Sequence, residues 1–173
     1  MKNKDLLIII GVNAFIFGLV CAVYSFVSET MSSIIWSVFL GYAITFAVGC
    51  DIKKSINYFA SLNFGWIWAF AYGYGFALCM SALKMSAPIA MFVSVFFVTG
   101  VMLYCHMGLL KNTWFNNISM LFIPVSTYFI TGGGSIIPYC LVSLNIGVGI
   151  AIFTTLICNI LLRPRNSIEM ERS

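Results

Sequence analysis

The sequence SLNFG at residues 61–65 returns as SLNIG at residues 143–147, each time inside a long apolar stretch. Two phenylalanines and a glycine also recur at one constant offset: Phe39, Phe46 and Gly49 match Phe122, Phe129 and Gly132. Two weaker matches lie earlier in the chain, Phe15 and Gly18 against Phe97 and Gly100. These matches indicate an internal repeat. The alternative is chance similarity, because apolar segments share a small alphabet of residues.

The composition predicts a membrane protein. Of the 173 residues, 61% are hydrophobic and only 8% are charged, whereas a soluble domain averages roughly 25% charged residues. Six apolar stretches are predicted to cross the bilayer as helices: residues 6–27, 34–50, 56–83, 87–110, 118–131 and 136–162. The chain is therefore predicted to be an all-α integral membrane protein, with a single transmembrane domain over residues 1–173.

The repeat and the predicted spans together suggest an architecture. Repeat 1 would cover about residues 6–83 and repeat 2 about residues 87–162, followed by a polar cytoplasmic tail over residues 163–173. Three spans are an odd number, so the second repeat would be upside down relative to the first, as a 3+3 inverted repeat. The second and fifth spans are short, and glycines interrupt the chain where they end, at Gly49 and at Gly132–Gly134.

The basic residues predict the orientation. With the N-terminus inside, eight of nine lie on the cytoplasmic side: Lys2, Lys4, Lys53, Lys54, Lys111, Arg163, Arg165 and Arg172. Only Lys84 would lie outside, as the positive-inside rule requires. Both termini are thus predicted to be cytoplasmic. This distribution accounts for the net charge of +4 without a nucleic-acid partner.

Two asparagines are the first candidate site. Asn63 and Asn145 occupy the same position of the repeated signature, and a side-chain amide in hydrocarbon costs several kcal/mol unless it is hydrogen-bonded. We expect the two amides to pair across the pseudo-twofold axis, beside the glycine breaks. They would either hold helices together or line a polar path for a small solute. Small residues beside them, Ser61, Gly65, Ser143 and Gly147, are predicted to pack helices closely.

The glycine breaks are the second candidate. Non-helical backbone at membrane depth is tolerated where it lines a cavity, and paired interruptions in two repeats point to a transport site. Gly49, Gly132 and Gly133 would then form part of a pore, with Thr45 and Thr127 as nearby hydroxyls. The alternative is that both breaks are ordinary surface loops.

Two further features have alternative interpretations. His106 is either a pH-sensitive gate or a side chain at the membrane interface. Asp51, Lys53 and Lys54 bind anionic lipid headgroups, close a cytoplasmic gate, or form a solvated loop that sets the topology.

Several classes of function are disfavoured. No span carries an ionisable residue well inside it, which argues against ion-coupled pumping. Hydrolase motifs such as H-E-x-x-H and G-x-S-x-G, and the phosphate-binding glycine loop, do not occur, so neither an enzyme nor a cofactor is predicted. The six cysteines are scattered singly and there is one histidine, so no metal site is predicted.

Several motifs resemble the YcdZ-like family of small bacterial inner membrane proteins of unknown function. They are the short span ending near Gly49, the start of the fifth span at residues 122–124, the glycines at 132–134 and the Ser143-Leu144 helix entry. The likeness covers most of the chain from the second span onward. It implies a multi-pass protein of the bacterial inner membrane and brings no substrate.

The leading hypothesis for function is a passive channel or facilitator for a small neutral or weakly polar solute, such as urea, a small amide, ammonia or a small alcohol. The competing hypothesis is a non-transporting membrane scaffold or accessory subunit. A homo-oligomer is expected, because the aromatic third span and the many small residues offer more packing surface than six helices can bury. A continuous polar path would favour the first hypothesis, and a dry, packed interior the second.

Overall fold

The computed structural model describes residues 3–170, and the side chains of residues 5–162. Lys2 and Arg172 lie outside the described residues, as do the side chains of Lys4, Arg163 and Arg165. This part of the chain contains seven α-helices and no strand, which confirms the all-helical class. The helices are α1 Asn3–Val27, α2 Glu29–Ser33, α3 Ile35–Ala47, α4 Ser55–Ser81, α5 Ala87–Leu103, α6 Ile118–Thr131 and α7 Ile137–Met170.

Polar side chains cap the start of two helices, α2 and α6, and of the 3-10 turn before α4. The side chain of Ser28 accepts a hydrogen bond from the N–H of Met31 at the start of α2, and Asn117 does the same for Met120 at the start of α6. A short 3-10 turn, Ile52–Lys54, precedes α4 and is capped by Asp51. Such caps satisfy amide groups that have no partner within the first helical turn. The apolar stretches are therefore separated by local signals that the sequence carries.

Three helical segments are long and apolar enough to cross a membrane: Asp5–Val27, Ala87–Leu109 and Ile137–Leu162. A fourth span results if α3 and α4, which meet at an angle of 117° across a short break, count as one bent span. These segments are compatible with a membrane protein, but the predicted six spans are not confirmed. Helices α3 and α6 have 13 and 14 residues and reach only about 20 Å, against a hydrocarbon core of roughly 30 Å.

Two helix crossings hold the fold together through glycine. A Cβ atom added at Gly147 in α7 would lie 2.1 Å from the carbonyl oxygen of Val38 in α3. A Cβ atom added at Gly65 in α4 would lie 2.5 Å from the carbonyl oxygen of Leu121 in α6. Helix backbones touch directly at both places, as small residues permit in membrane proteins.

The core lies where α4, α6 and α7 meet. Its fully buried side chains include Tyr58, Leu62, Met120, Leu144 and Val148. Helices α1 and α5 flank this core, with α1 against α7 and α5 against α4, and they carry many exposed large apolar side chains. Those side chains are the kind that hydrocarbon covers at no cost.

The end of the last helix differs from the predicted span. Helix α5 continues as a π-helical turn, Tyr104–Leu109, so this helical segment ends within one residue of the predicted residue 110. Helix α7 instead continues to Met170, beyond residue 163 where the sequence predicts a polar tail. Helix α6 covers residues 118–131, as predicted. All six cysteines are free.

Substituting Gly147→Ala should destabilise the protein by about 1–3 kcal/mol, because the new methyl group would collide with backbone that cannot swing aside. Gly18→Ala in α1 is the matched control, since a Cβ there meets nothing within 4 Å. Unfolding by SDS titration in mixed micelles measures both. Equal stability of the two variants would contradict the proposed role of this crossing.

Candidate functional site

The two predicted asparagines form a reciprocal pair. The Nδ2 of Asn63 donates to the Oδ1 of Asn145 at 2.8 Å, and the Nδ2 of Asn145 donates back at 3.1 Å. Each amide donates its other hydrogen to a carbonyl one turn earlier in its own helix, that of Phe59 or of Leu141, both at 2.8 Å. The expected pairing of the amides is thus observed, and it joins α4 to α7.

These hydrogen bonds determine which groups of the pair can still bind a further partner. All four amide hydrogens of the pair are used, whereas each Oδ1 accepts one hydrogen bond and retains a second lone pair. Asn63 is exposed and Asn145 is half-buried, so the pair lies at the surface of the protein. The pair therefore presents two uncharged acceptors at the outside of the helix bundle.

An open groove lies beside Asn63. Its volume is about 570 Å³, and apart from the amide its walls are apolar, with Phe59, Phe64, Ile67 and Phe115 among them. A polar guest here would find one amide surrounded by hydrocarbon side chains.

The predicted glycine breaks are capped helix ends. At the end of α3, Gly49 and Cys50 have positive φ angles of 99° and 41°, and the N–H of Cys50 donates to the carbonyl of Thr45 at 2.9 Å. At the end of α6, Gly132 and Gly133 have φ angles of 65° and 72°. Left-handed residues with such bonds terminate helices and satisfy their last carbonyls. Cys50 belongs to the break that the sequence indicates, but its left-handed backbone was not predicted. Its thiol donates to the carbonyl of Ala151 in α7 at 3.3 Å, a contact that only the tertiary structure supplies.

The two predicted threonines are both buried but differ in their hydrogen bonding. Thr45 Oγ1 donates to the carbonyl of Gly41 at 2.7 Å within its own helix. Thr127 is fully buried, and its hydroxyl has no hydrogen-bond partner among the described residues. The indole N–H of Trp66 is likewise buried without a partner in this part of the chain. Among the described hydrogen bonds, none joins either threonine to the asparagine pair.

The two serines of the signature secure neighbouring segments. Ser61 Oγ donates to the carbonyl of Trp114 and accepts from the N–H of Asn117, both at 3.1 Å, which fixes the segment before α6. Ser143 Oγ accepts from the hydroxyl of Tyr24 in α1 at 2.9 Å. Each serine therefore acts as a hydrogen-bonding attachment point as well as a small packing residue.

His106 is fully buried in the π-helical turn. Its Nε2 accepts from the indole N–H of Trp68 at 2.8 Å, and its Nδ1 bonds to the carbonyl of Phe115. These partners assign a neutral ring with the hydrogen on Nδ1. The histidine is a buried connection between α4 and the loop after α5. Its partner Trp68 could not be predicted from the sequence.

A double-mutant cycle should detect coupling across the amide pair. Asn63→Leu and Asn145→Leu should each lower stability by roughly 0.5–2 kcal/mol, and the double variant should lose less than the sum, because either change already abolishes both inter-helix bonds. SDS titration of the four proteins measures the cycle. A loss of stability in the double variant equal to the sum of the two single losses would contradict the pairing.

Comparison with known proteins identifies the family. Residues 14–161 match the model of a family described as a protein of unknown function, DUF1097. No curated protein and no solved structure matches the chain. The match does not establish the narrower YcdZ-like name. Because the matched segment covers most of the 173 residues, the chain belongs to the DUF1097 family.

Proposed function

We propose that this protein is a passive facilitator for a small neutral solute, with its path running along the surface that carries Asn63 and Asn145. The observation that supports it is the position of two uncharged amides on long helices of an apolar chain, bonded to each other, with Asn63 exposed and Asn145 half-buried. The path would lie between copies of the chain, because the amides face outward and the crossings inside the bundle are closed by backbone contact.

The chemistry of the pair favours a hydrogen-bond donor as solute. The two free lone pairs on the amide oxygens can accept from N–H or O–H groups, as urea, a small amide, ammonia and a small alcohol provide. The walls beside Asn63 are apolar, so the solute would be held at one place and released easily. Weak binding of this kind suits passive conduction. A charged solute would find no counter-charge on these walls.

The proposed architecture is a 3+3 inverted repeat. Its support is a reciprocal set of contacts: Gly147 meets Val38, and Gly65 meets Leu121. Gly65 and Gly147 correspond in the repeat, and Val38 and Leu121 have the same spacing as the repeated phenylalanines. In two units related by a twofold axis, a contact between residues of the two units occurs twice, the second time with the equivalent residues and the units exchanged. The two glycine contacts have this relation to each other.

The asparagine pair fits the same operation. Asn63 and Asn145 are counterparts that bond to each other, so they would lie on the axis itself. The helix caps add a second correspondence, since the bond from Cys50 to Thr45 is matched by one from Gly133 to Tyr128. Six membrane-embedded segments, with short α3 and α6, would follow from this arrangement.

A homo-oligomer is part of the proposal. The exposed side of α4 that carries Asn63 continues at helical spacing through Ile67, Phe70 and Tyr74. Lipid alone would leave the two amide oxygens without partners for their second lone pairs. A second copy of the chain would complete the wall of a path and allow solute or water to reach them.

A non-transporting scaffold is the second candidate. It is supported by the amide pair itself, because all four of its N–H groups are already satisfied within the chain. A pair of this kind stabilises a helix contact without any solute.

We further propose that the protein lies in the bacterial inner membrane with both termini in the cytoplasm. Support comes from the segments around Lys53 and Lys111, which lie on one face because Asn57 donates to Trp114 and Asn116 across the gap. Both segments carry basic residues, which the positive-inside rule retains in the cytoplasm.

Alkaline phosphatase fused after Lys84 should be active in intact cells, and fusions after Lys53 or Lys111 should be inactive, because the reporter folds only outside the inner membrane. Membrane fractionation of the same strains locates each fusion. An active fusion after residue 53 or 111 would rule out this orientation.

Proteoliposomes containing the wild-type protein should take up urea, ammonia or glycerol faster than empty liposomes in stopped-flow experiments. Asn63→Leu and Asn145→Leu should each abolish the excess flux per folded protein, since each removes one amide acceptor and breaks the reciprocal bonds that hold the other amide in place. Gly18→Ala is the control that should conduct normally, because a Cβ at that position meets nothing within 4 Å.

Absence of flux for all three solutes would favour the scaffold. Unchanged flux in both leucine variants would show that the amides only hold helices together. Native mass spectrometry of the same preparation reports the subunit number, and conduction by a strict monomer would exclude a path between copies.

A further inference from the structure

A polar cavity of about 670 Å³ lies where the break between α3 and α4 meets the loop between α5 and α6. Its lining includes two cationic side chains and several amides, Lys53, Lys54, Asn57, Asn112, Asn116 and Asn117. It is separate from the groove beside Asn63, which is almost wholly apolar.

The charges around this cavity are of one sign. Lys53 and Lys54 are both exposed, and no carboxylate lines the cavity among the described residues. The nearest acidic residue along the chain is Asp51, whose Oδ1 accepts from the backbone N–H of Lys53 at 3.0 Å and caps the 3-10 turn. This bond uses one oxygen of the carboxylate for the backbone, and Asp51 is not among the residues that line the cavity.

The walls also carry uncharged hydrogen-bond donors, and hydrogen bonds between separate elements hold these walls in place. Asn57 donates both of its amide hydrogens, one to the carbonyl of Trp114 and one to the Oδ1 of Asn116. These bonds hold the loop against α4. The Oδ1 of Asn117 caps α6 by accepting from Met120, and this leaves its Nδ2 hydrogens for another acceptor. The cavity is therefore built by contacts between separate elements and does not depend on one flexible loop.

We propose that this cavity binds a phosphate-bearing anion. Two ammonium groups and neighbouring amide N–H groups are the donors that phosphate oxygens take, and charge-assisted bonds of this kind are stronger than neutral ones. The phosphate is either the headgroup of an anionic phospholipid or part of a soluble phosphate compound. Trp114, exposed at the cavity, is a residue type that concentrates at the membrane–water boundary, where both sources are present. The site does not depend on conduction of a solute.

Two arms of one experiment distinguish the sources. In the first, calorimetry follows the titration of glycerol phosphate and inorganic phosphate into the protein in nanodiscs of phosphatidylcholine alone. In the second, native mass spectrometry counts phosphatidylglycerol retained by protein released from mixed nanodiscs of phosphatidylcholine and phosphatidylglycerol. Binding in the first arm identifies a soluble ligand, and selective retention only in the second identifies a lipid headgroup.

The variant Lys53→Gln/Lys54→Gln should weaken binding about fivefold per lysine, or about 25-fold together, if each contributes as a lysine near an anionic surface does. Lys84→Gln/Lys111→Gln changes the net charge equally but removes no residue that lines the cavity, and it should bind as the wild type does. Lys53→Arg/Lys54→Arg should retain binding and checks that the segment still folds.

Three outcomes would contradict the proposed phosphate site. The first is that neither phosphate compound nor phosphatidylglycerol binds the wild-type protein. The second is an equal loss in the Lys84/Lys111 control, which would assign binding to net charge. The third is a loss in the double arginine variant as large as that in the double glutamine variant, which would assign the effect to altered folding.

Discussion

Direct contact between helix backbones at Gly65 and Gly147 is the constraint on which the rest of this structure depends. In lipid, apolar side chains gain little by leaving their surroundings, so close packing and hydrogen bonds must hold helices together. The carbonyl oxygens of Leu121 and Val38 occupy the space that a side chain would need. These contacts fix the two short helices against two long ones, α6 against α4 and α3 against α7.

The chemistry of the asparagine pair depends on how α4 and α7 meet. With α4 and α7 in this register, each amide satisfies its partner and its own helix, so the cost of placing amides in an apolar chain is largely removed. What remains is a pair of uncharged acceptors at the outer surface. The proposed facilitator uses these acceptors and the proposed scaffold does not, which makes solute flux the property that separates the two.

The amide pair and the lysine cavity differ in the character of their polar groups. The amide pair lies within long apolar helices and carries no charge, whereas the cavity at Lys53 and Lys54 lies in connecting segments and is cationic. Solvent explains the separation: an ammonium group is stable at a membrane surface but costly inside it. A neutral solute path and an anion site can therefore occupy one small chain with different polar side chains, although Ile56 lines both the groove and the cavity.

Much of the fold follows from the sequence alone. Apolar runs predicted the long helices and the bounds of α6, and the repeated signature placed Asn63 and Asn145 at matching positions, because an apolar run and a repeated motif are local properties of the chain. Other features depend on segments far apart in sequence. The 117° angle between α3 and α4, the left-handed Cys50, the bond from Trp68 to His106 and the lysine cavity were decided only by tertiary structure, since each requires two elements to meet before its geometry exists.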